Sequence, residues 1–161
     1  MSDEPEVVLR PVRDEDLDAV FDQMRDPESV RMAAFTPDQP DDRDRFDTHM
    51  ARVLSSPDST TLAVTADGEL AGTIAAYLAD EGTEVTCWID RSMWGQGIAS
   101  RALTLLLELV PVRPLHARAA SDNLGSLRVL EKAGFRVIGT EVSFATARGG
   151  EIEETVLRLD R

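Results

Sequence analysis

The stretch Trp94-Gly95-Gln96-Gly97-Ile98-Ala99-Ser100-Arg101 follows a strand-like apolar run, residues 85–89, and opens an apolar-periodic helix over residues 99–110. No other part of the chain restricts its fold as strongly. Lacking Cβ atoms, Gly95 and Gly97 let the backbone turn sharply and bring N–H groups close to a ligand, at the positive end of the helix that follows. A strand, a glycine loop and a helix start in this order make a site for an anion, phosphate above all. Spacing excludes two other glycine loops. A P-loop requires a lysine followed by serine or threonine after its last glycine, and the dinucleotide fingerprint requires a third glycine or alanine where Ser100 stands. Two glycines alone would equally suit an ordinary strand-to-helix turn, so the rest of the chain has to decide.

Charge argues for the anion site. The chain carries 17 basic and 30 acidic residues, a net charge of −13, which speaks against nucleic acid or an anionic membrane as partner. Yet between Arg91 and Arg136 there are seven basic residues against three acidic ones, a balance of +4 that leaves −17 for the rest. A locally basic segment around the glycine loop, inside an acidic protein, suits a phosphate-rich ligand. With 161 residues and 42% hydrophobic content, residues 1–161 read as one domain with a sizeable core. No apolar run approaches the roughly 18 to 20 residues that span a bilayer, and the N-terminus is acidic, so a cytoplasmic protein is expected. One lysine against sixteen arginines fits a G+C-rich, bacterial coding sequence. His49 and His116 have no ligand-spaced neighbours, so no metal is expected, and the lone Cys87 reads as a buried small hydrophobe.

Taken in order, residues 6–12 read as a strand, and Asp14 as the cap of a helix carrying Leu17, Val20, Phe21 and Met24, which Asp26-Pro27 ends. Residues 28–40 read as short helical turns and loop. Asp41 and Asp42 cap a second helix that stops at Ser55-Ser56-Pro57. Antiparallel strands follow at 60–65, 69–78 and 84–89, turning at Asp67-Gly68 and Asp80-Glu81-Gly82. After the glycine-loop helix come a strand at 115–119, a helix at 123–133 capped by Ser121 or Asp122 and ended by Gly134, and a hairpin of strands 135–144 and 151–159. The order β-α-α-β-β-β-α-β-α-β-β predicts a mixed α/β fold with a largely antiparallel sheet flanked by helices.

At this point the residues resemble the GNAT superfamily of acetyl-CoA-dependent N-acetyltransferases, and within it the RimJ/RimL-like branch, nearly end to end. The resemblance rests on Leu9-Arg10-Pro11, on Glu84-Val85-Thr86-Cys87-Trp88-Ile89 leading into the glycine loop, on Asn123-Leu124-Gly125-Ser126, and on Leu130-Glu131-Lys132-Ala133-Gly134-Phe135. Trp94 stands where the wider family has Gln or Arg, as is common in that branch. The resemblance implies that the strands ending at Ile89 and starting at Leu115 splay apart around acetyl-CoA. The pantetheine arm would pair with main-chain groups near Trp88 and Ile89, and the pyrophosphate would sit on the amides of Gly95, Gln96, Gly97, Ile98 and Ala99, beside Trp94. It also implies that Asn123 bonds the pantetheine arm and that Ser126 lies near the thioester sulfur. Arg128 and Lys132 could reach phosphate or simply face solvent.

Acetyl transfer needs a neutral amine, a stabilised oxyanion and a proton for the departing thiolate. Many relatives place a tyrosine for that proton at the position of Leu130; here Ser126, one turn earlier, is the candidate acid, unless its hydroxyl back-bonds within the helix. Glu84, sharing a strand face with Thr86 and Trp88, is the candidate base. The resemblance implies that the acceptor is a primary amine, either a protein N-terminal α-amine or a small-molecule amine. The alternative is a non-catalytic acyl-CoA-binding sensor. The exposed edges of the C-terminal hairpin suggest a homodimer.

Overall fold

The computed structural model describes residues 4–161. Seven strands form one sheet in the order β1-β2-β3-β4-β5-β7-β6, with β1 at Val7–Pro11, β2 at Ser59–Ala66, β3 at Glu69–Ala79 and β4 at Gly82–Ile89. The remaining strands are β5 at Leu115–Ala120, β6 at Arg136–Ala145 and β7 at Gly150–Leu159. All neighbours run antiparallel except β4 and β5. The β2–β3 hairpin turns on Asp67 and Gly68, both at positive φ (51° and 84°), the combination a type I′ turn requires.

The parallel junction positions everything that follows. β4 and β5 pair only at Thr83↔Leu115 and Glu84↔His116, after which the two strands separate. Each strand keeps its other neighbour, β3 for β4 and β7 for β5, so the sheet opens in the middle while both halves stay anchored.

Five helices cover the sheet: α1 at Leu17–Met24, α2 at Pro27–Ala33, α3 at Arg43–Ser55, α4 at Ile98–Leu109 and α5 at Leu124–Lys132. On one side, α4 buries Ile98, Ala102, Leu103 and Leu106, a 3.6-residue stripe, against Ile74, Val85, Leu115 and Leu157. Each large aliphatic buried this way is worth about 1.5–3 kcal/mol. On the other side Trp88 Nε1 donates to the carbonyl of Gln23 in α1 at 3.0 Å, and Ala34 packs with Ala120 and Ala145.

Four local readings of the sequence are corrected. Pro27 does not merely end α1; it opens α2, where a missing N–H costs nothing, and Asp26 Oδ2 caps the helix by accepting from Ser29 N at 3.0 Å. Asp14 is not a cap: it starts a 3-10 turn, and the buried Asp16 accepts from Arg13 N at 2.7 Å while pairing with Arg10 at 2.7 and 2.9 Å. Asn123, not Ser121 or Asp122, caps α5. Cys87 is exposed at the gap between β4 and β5, because the partner strand that would have covered it has moved away.

Candidate active site

A groove of about 550 Å³ occupies the opened sheet. Its walls are β4 from Val85 to Ile89, the glycine loop with the first turn of α4, Ala117 and Arg118 of β5, α5, and Ser29, Met32 and Ala33 of α2. Because α4 and α5 lie on one face of the sheet and α2 on the other, the groove connects the two faces. Of the residues predicted to hold a cofactor, all but Gln96 border it.

The glycine loop has the geometry the sequence demanded. Gly95 and Gly97 sit at φ 81° and 77°, the left-handed region that L-side chains rarely adopt, and Gly97 is the N-cap of α4 without a side-chain cap. The first-turn amides of α4 therefore have no side-chain acceptor and point, with the helix dipole, toward one end of the groove. Arg101 Nη2 bonds the Gln96 carbonyl at 2.8 Å and its Nη1 bonds Glu4 at 2.9 Å, which braces the loop from outside. Trp94 Nε1 donates to the Ile89 carbonyl at 2.9 Å. The Ile89 carbonyl is thus engaged within the protein, and the edge of β4 without a strand partner lies upstream, from Val85 on. Gly72 of β3 holds β4 in place by its smallness: a Cβ there would lie 1.9 Å from the Trp88 carbonyl oxygen.

On α5, Asn123 Oδ1 accepts from Ser126 N at 3.3 Å and Nδ2 donates to the Met32 carbonyl at 3.4 Å. Its amide is committed to both walls of the groove. Ser126 lines the groove, and among the described residues its hydroxyl has no hydrogen-bond partner, so it does not back-bond in its helix. Leu130 is a buried wall residue with no proton to give. Arg128 borders the groove, whereas Lys132 does not.

Glu84 is not an isolated carboxylate. Its Oε2 accepts from the Tyr77 hydroxyl at 2.5 Å and its Oε1 from Arg118 Nε at 3.1 Å. Arg118 Nη1 also bonds Glu141 at 2.6 Å and Glu154 at 3.3 Å, so three carboxylates surround one guanidinium. Hydrogen bonding, to Glu141 foremost, raises the Arg118 pKa and keeps it charged; burial raises Glu154 above the usual carboxylate range, and burial with the Glu84 bond raises Tyr77. Glu84 stands at the last paired step of the parallel junction, outside the groove lining, whereas Arg118 reaches into it. Sequence reasoning missed Arg118, Gly72 and the α2 wall. A glycine in the interior of a strand was the available signal for Gly72.

Among the described residues no helix is long and apolar enough to cross a membrane, and no three His, Cys, Asp or Glu side chains converge as metal ligands.

The profile of the acetyltransferase (GNAT) domain matches residues 6–136. No curated protein matches the sequence. Among solved structures, the chain is similar to the microcin C7 self-immunity acetyltransferase MccE in complex with acetyl-CoA and AMP, at 12% identity and a TM-score of 0.81, covering 99% of this chain and 94% of that one. It is similar to Mycobacterium smegmatis RimJ in complex with CoA-disulfide, at 20% identity and a TM-score of 0.78, covering 96% and 81%. It is also similar to Vibrio cholerae spermidine N-acetyltransferase in complex with CoA and spermine, at 15% identity and a TM-score of 0.80, covering 96% and 95%. At these identities the structures show a shared fold, a seven-stranded, largely antiparallel sheet flanked by helices, and the domain profile shows the family: the chain belongs to the GNAT acetyltransferases.

Proposed function

We propose that this protein transfers the acetyl group of acetyl-CoA to a primary amine, a protein N-terminal α-amine or a small-molecule amine, in the manner of the RimJ/RimL-like branch. The observation that carries the reading is the continuity of the uncapped α4 N-terminus with the groove through the opened sheet. Pyrophosphate on the first-turn amides would direct the pantetheine arm along the unpaired edge of β4, with Asn123 and Ser126 facing it. Arg128 at the rim supplies further positive charge. Acetyl-CoA and CoA in the similar structures support the choice of ligand.

In the reaction the amine nitrogen attacks the thioester carbonyl carbon, forming a C–N bond and an oxyanion. Collapse breaks the C–S bond, and the Ser126 hydroxyl gives its proton to the departing sulfur while the nitrogen's surplus proton passes to the serine oxygen and restores the hydroxyl. The products are an amide and free CoA thiol. Glu84 takes a changed part in this proposal: held by Tyr77 and Arg118, it anchors Arg118 beside the acceptor side of the groove, and proton loss from the acceptor ammonium runs through water. Several carboxylates near the first helices are engaged in ion pairs: Asp18 and Asp47 with Arg43, Asp38 with Arg45 and Asp41 with Arg25.

A second reading, an acyl-CoA-binding sensor, is favoured by Leu130 standing where many relatives have an acid. A thiol-release assay with acetyl-CoA and a panel of primary amines separates the two. Thiol release that depends on amine supports transfer, and saturable acetyl-CoA binding without it supports the sensor.

A further inference from the structure

Met32 and Ala33 line the groove, and the turn that follows them at Ala34 and Phe35 is not explained by helix geometry. Ala34, at the end of α2, has φ 66° and ψ −52°, and Phe35 N donates to the Ala33 carbonyl at 2.7 Å. This is a γ-turn of the positive-φ kind, rare and strained for a residue with a Cβ. Such a conformation persists only where its surroundings over-determine it. Here they do. Ala34 is fully buried against Ala120 and Ala145, and its carbonyl accepts from Ala147 N at 3.2 Å. The Arg31 carbonyl accepts from Arg148 Nε at 2.7 Å, and the Met32 carbonyl accepts from Asn123.

Arg148 sits at the centre of this clasp. It comes from the tip of the β6–β7 hairpin, its side chain is 16% exposed, and its two Nη atoms bond both oxygens of Asp122 at 2.7 and 3.0 Å. Asp122 immediately precedes Asn123, the cap of α5. One guanidinium therefore ties three separate pieces together: the end of α2, the start of α5 and the hairpin tip. The bidentate fork fixes its plane, and the Nε–H is aimed at the Arg31 carbonyl, an arrangement that lysine cannot copy. Met32 and Ala33, held by this clasp, face the groove from the side of the sheet opposite α4.

We propose that Arg148 is a positioning residue for the acceptor amine: by clasping the strained end of α2 to α5, it sets the wall against which the amine is held, without contributing to acetyl-CoA binding. This rests on the acetyltransferase reading above. The strain fits the role, because a wall that must keep one shape while acceptors enter and leave is better fixed by several converging bonds than by packing alone. Asp122 shares the role through its carboxylate.

The experiment measures steady-state thiol release with acetyl-CoA and three acceptors, spermidine, phenethylamine and tetraalanine, alongside acetyl-CoA affinity by calorimetry. The proteins are wild type, Arg148→Ala, Arg148→Lys and Asp122→Asn. The expected result is a fall of tenfold or more in kcat/KM for the acceptor in Arg148→Ala, carried mainly by acceptor KM, with acetyl-CoA affinity within twofold of wild type. Arg148→Lys and Asp122→Asn should lie between. Because Asp122 is 62% exposed, its variant folds and decides the matter should Arg148→Ala not fold. Acceptor kcat/KM within twofold of wild type in the folded variants overturns the inference, as does a parallel loss of acetyl-CoA affinity, which would mark a general structural role. A wild type that releases no thiol with any acceptor removes the acetyltransferase reading itself, and the inference with it.

Discussion

Gly72 offers the sharpest mechanical test of how the groove is held open. It pairs with Ile89 across β3 and β4, and a Cβ at this position would lie 1.9 Å from the Trp88 carbonyl oxygen, 2.9 Å from the Trp88 carbonyl carbon and 3.0 Å from Ile89 Cα. All three are backbone atoms, so no side chain can swing aside. A carbon and an oxygen in contact need about 3.3 Å, so alanine at position 72 forces β4 away by roughly 1.4 Å. Overpacking of this kind costs about 1–3 kcal/mol. Gly72→Ala should therefore lower the urea midpoint by an amount equivalent to about 2 kcal/mol at unchanged m. It should also weaken acetyl-CoA binding, because β4 forms a wall of the groove. Gly139→Ala is the control, since nothing lies within 4 Å of the place its methyl group would take, and it should change stability by less than about 0.5 kcal/mol. If Gly72→Ala matched wild type in both the urea midpoint and acetyl-CoA affinity, the close approach would not constrain β4 and the reasoning would fail.

Other outcomes follow from the same geometry. Asp16, buried and paired with Arg10, is held below the usual aspartate range chiefly by that hydrogen bond, so it contributes stability above the unfolded value near pH 4 that is lost as pH falls through its lower folded value. Asp16→Asn should cost about 3 kcal/mol at pH 6, and denaturant curves should show the gap to wild type closing below about pH 4. Ser126→Ala should lower kcat about a hundredfold with little change in acetyl-CoA KM, whereas Asn123→Ala should change both, because its amide caps α5 and holds Met32; a full kcat in Ser126→Ala would move the proton donor elsewhere. β6 is an edge strand with Val142 66% and Phe144 62% exposed, so light scattering at micromolar concentration should report a dimer, and a monomer mass would refute that reading.

Much of this fold is written in local patterns. The glycine loop, the apolar stripe of α4 and the turn at Asp67-Gly68 are set by residues within a few positions of one another, and each formed where the pattern put it. The separation of β4 from β5 was expected only through family resemblance, because no local pattern announces where a strand loses its partner. What depends on distant pairs was not legible. Glu84 looked like a free carboxylate because Arg118, 34 residues away, meets it only after a parallel junction forms. Asn123 looked like a cofactor ligand alone, yet its amide reaches Met32, 91 residues away. Cys87 read as buried because the strand pattern cannot show that its neighbour strand has left. Pro27 was ambiguous in principle, since the same residue ends one helix and starts the next.

The central claim is that the uncapped start of α4 binds the phosphates of acetyl-CoA and that the open sheet receives the rest. Calorimetric titration of wild type and Gly97→Val with acetyl-CoA tests it most directly. Valine at φ 77° is strained irrespective of space, and it would turn the first amides of α4 away from the ligand. The account predicts one saturable site in wild type and an affinity at least tenfold weaker, about 1.4 kcal/mol, in a folded Gly97→Val. Equal affinity in the two proteins, or no binding to wild type, would contradict it.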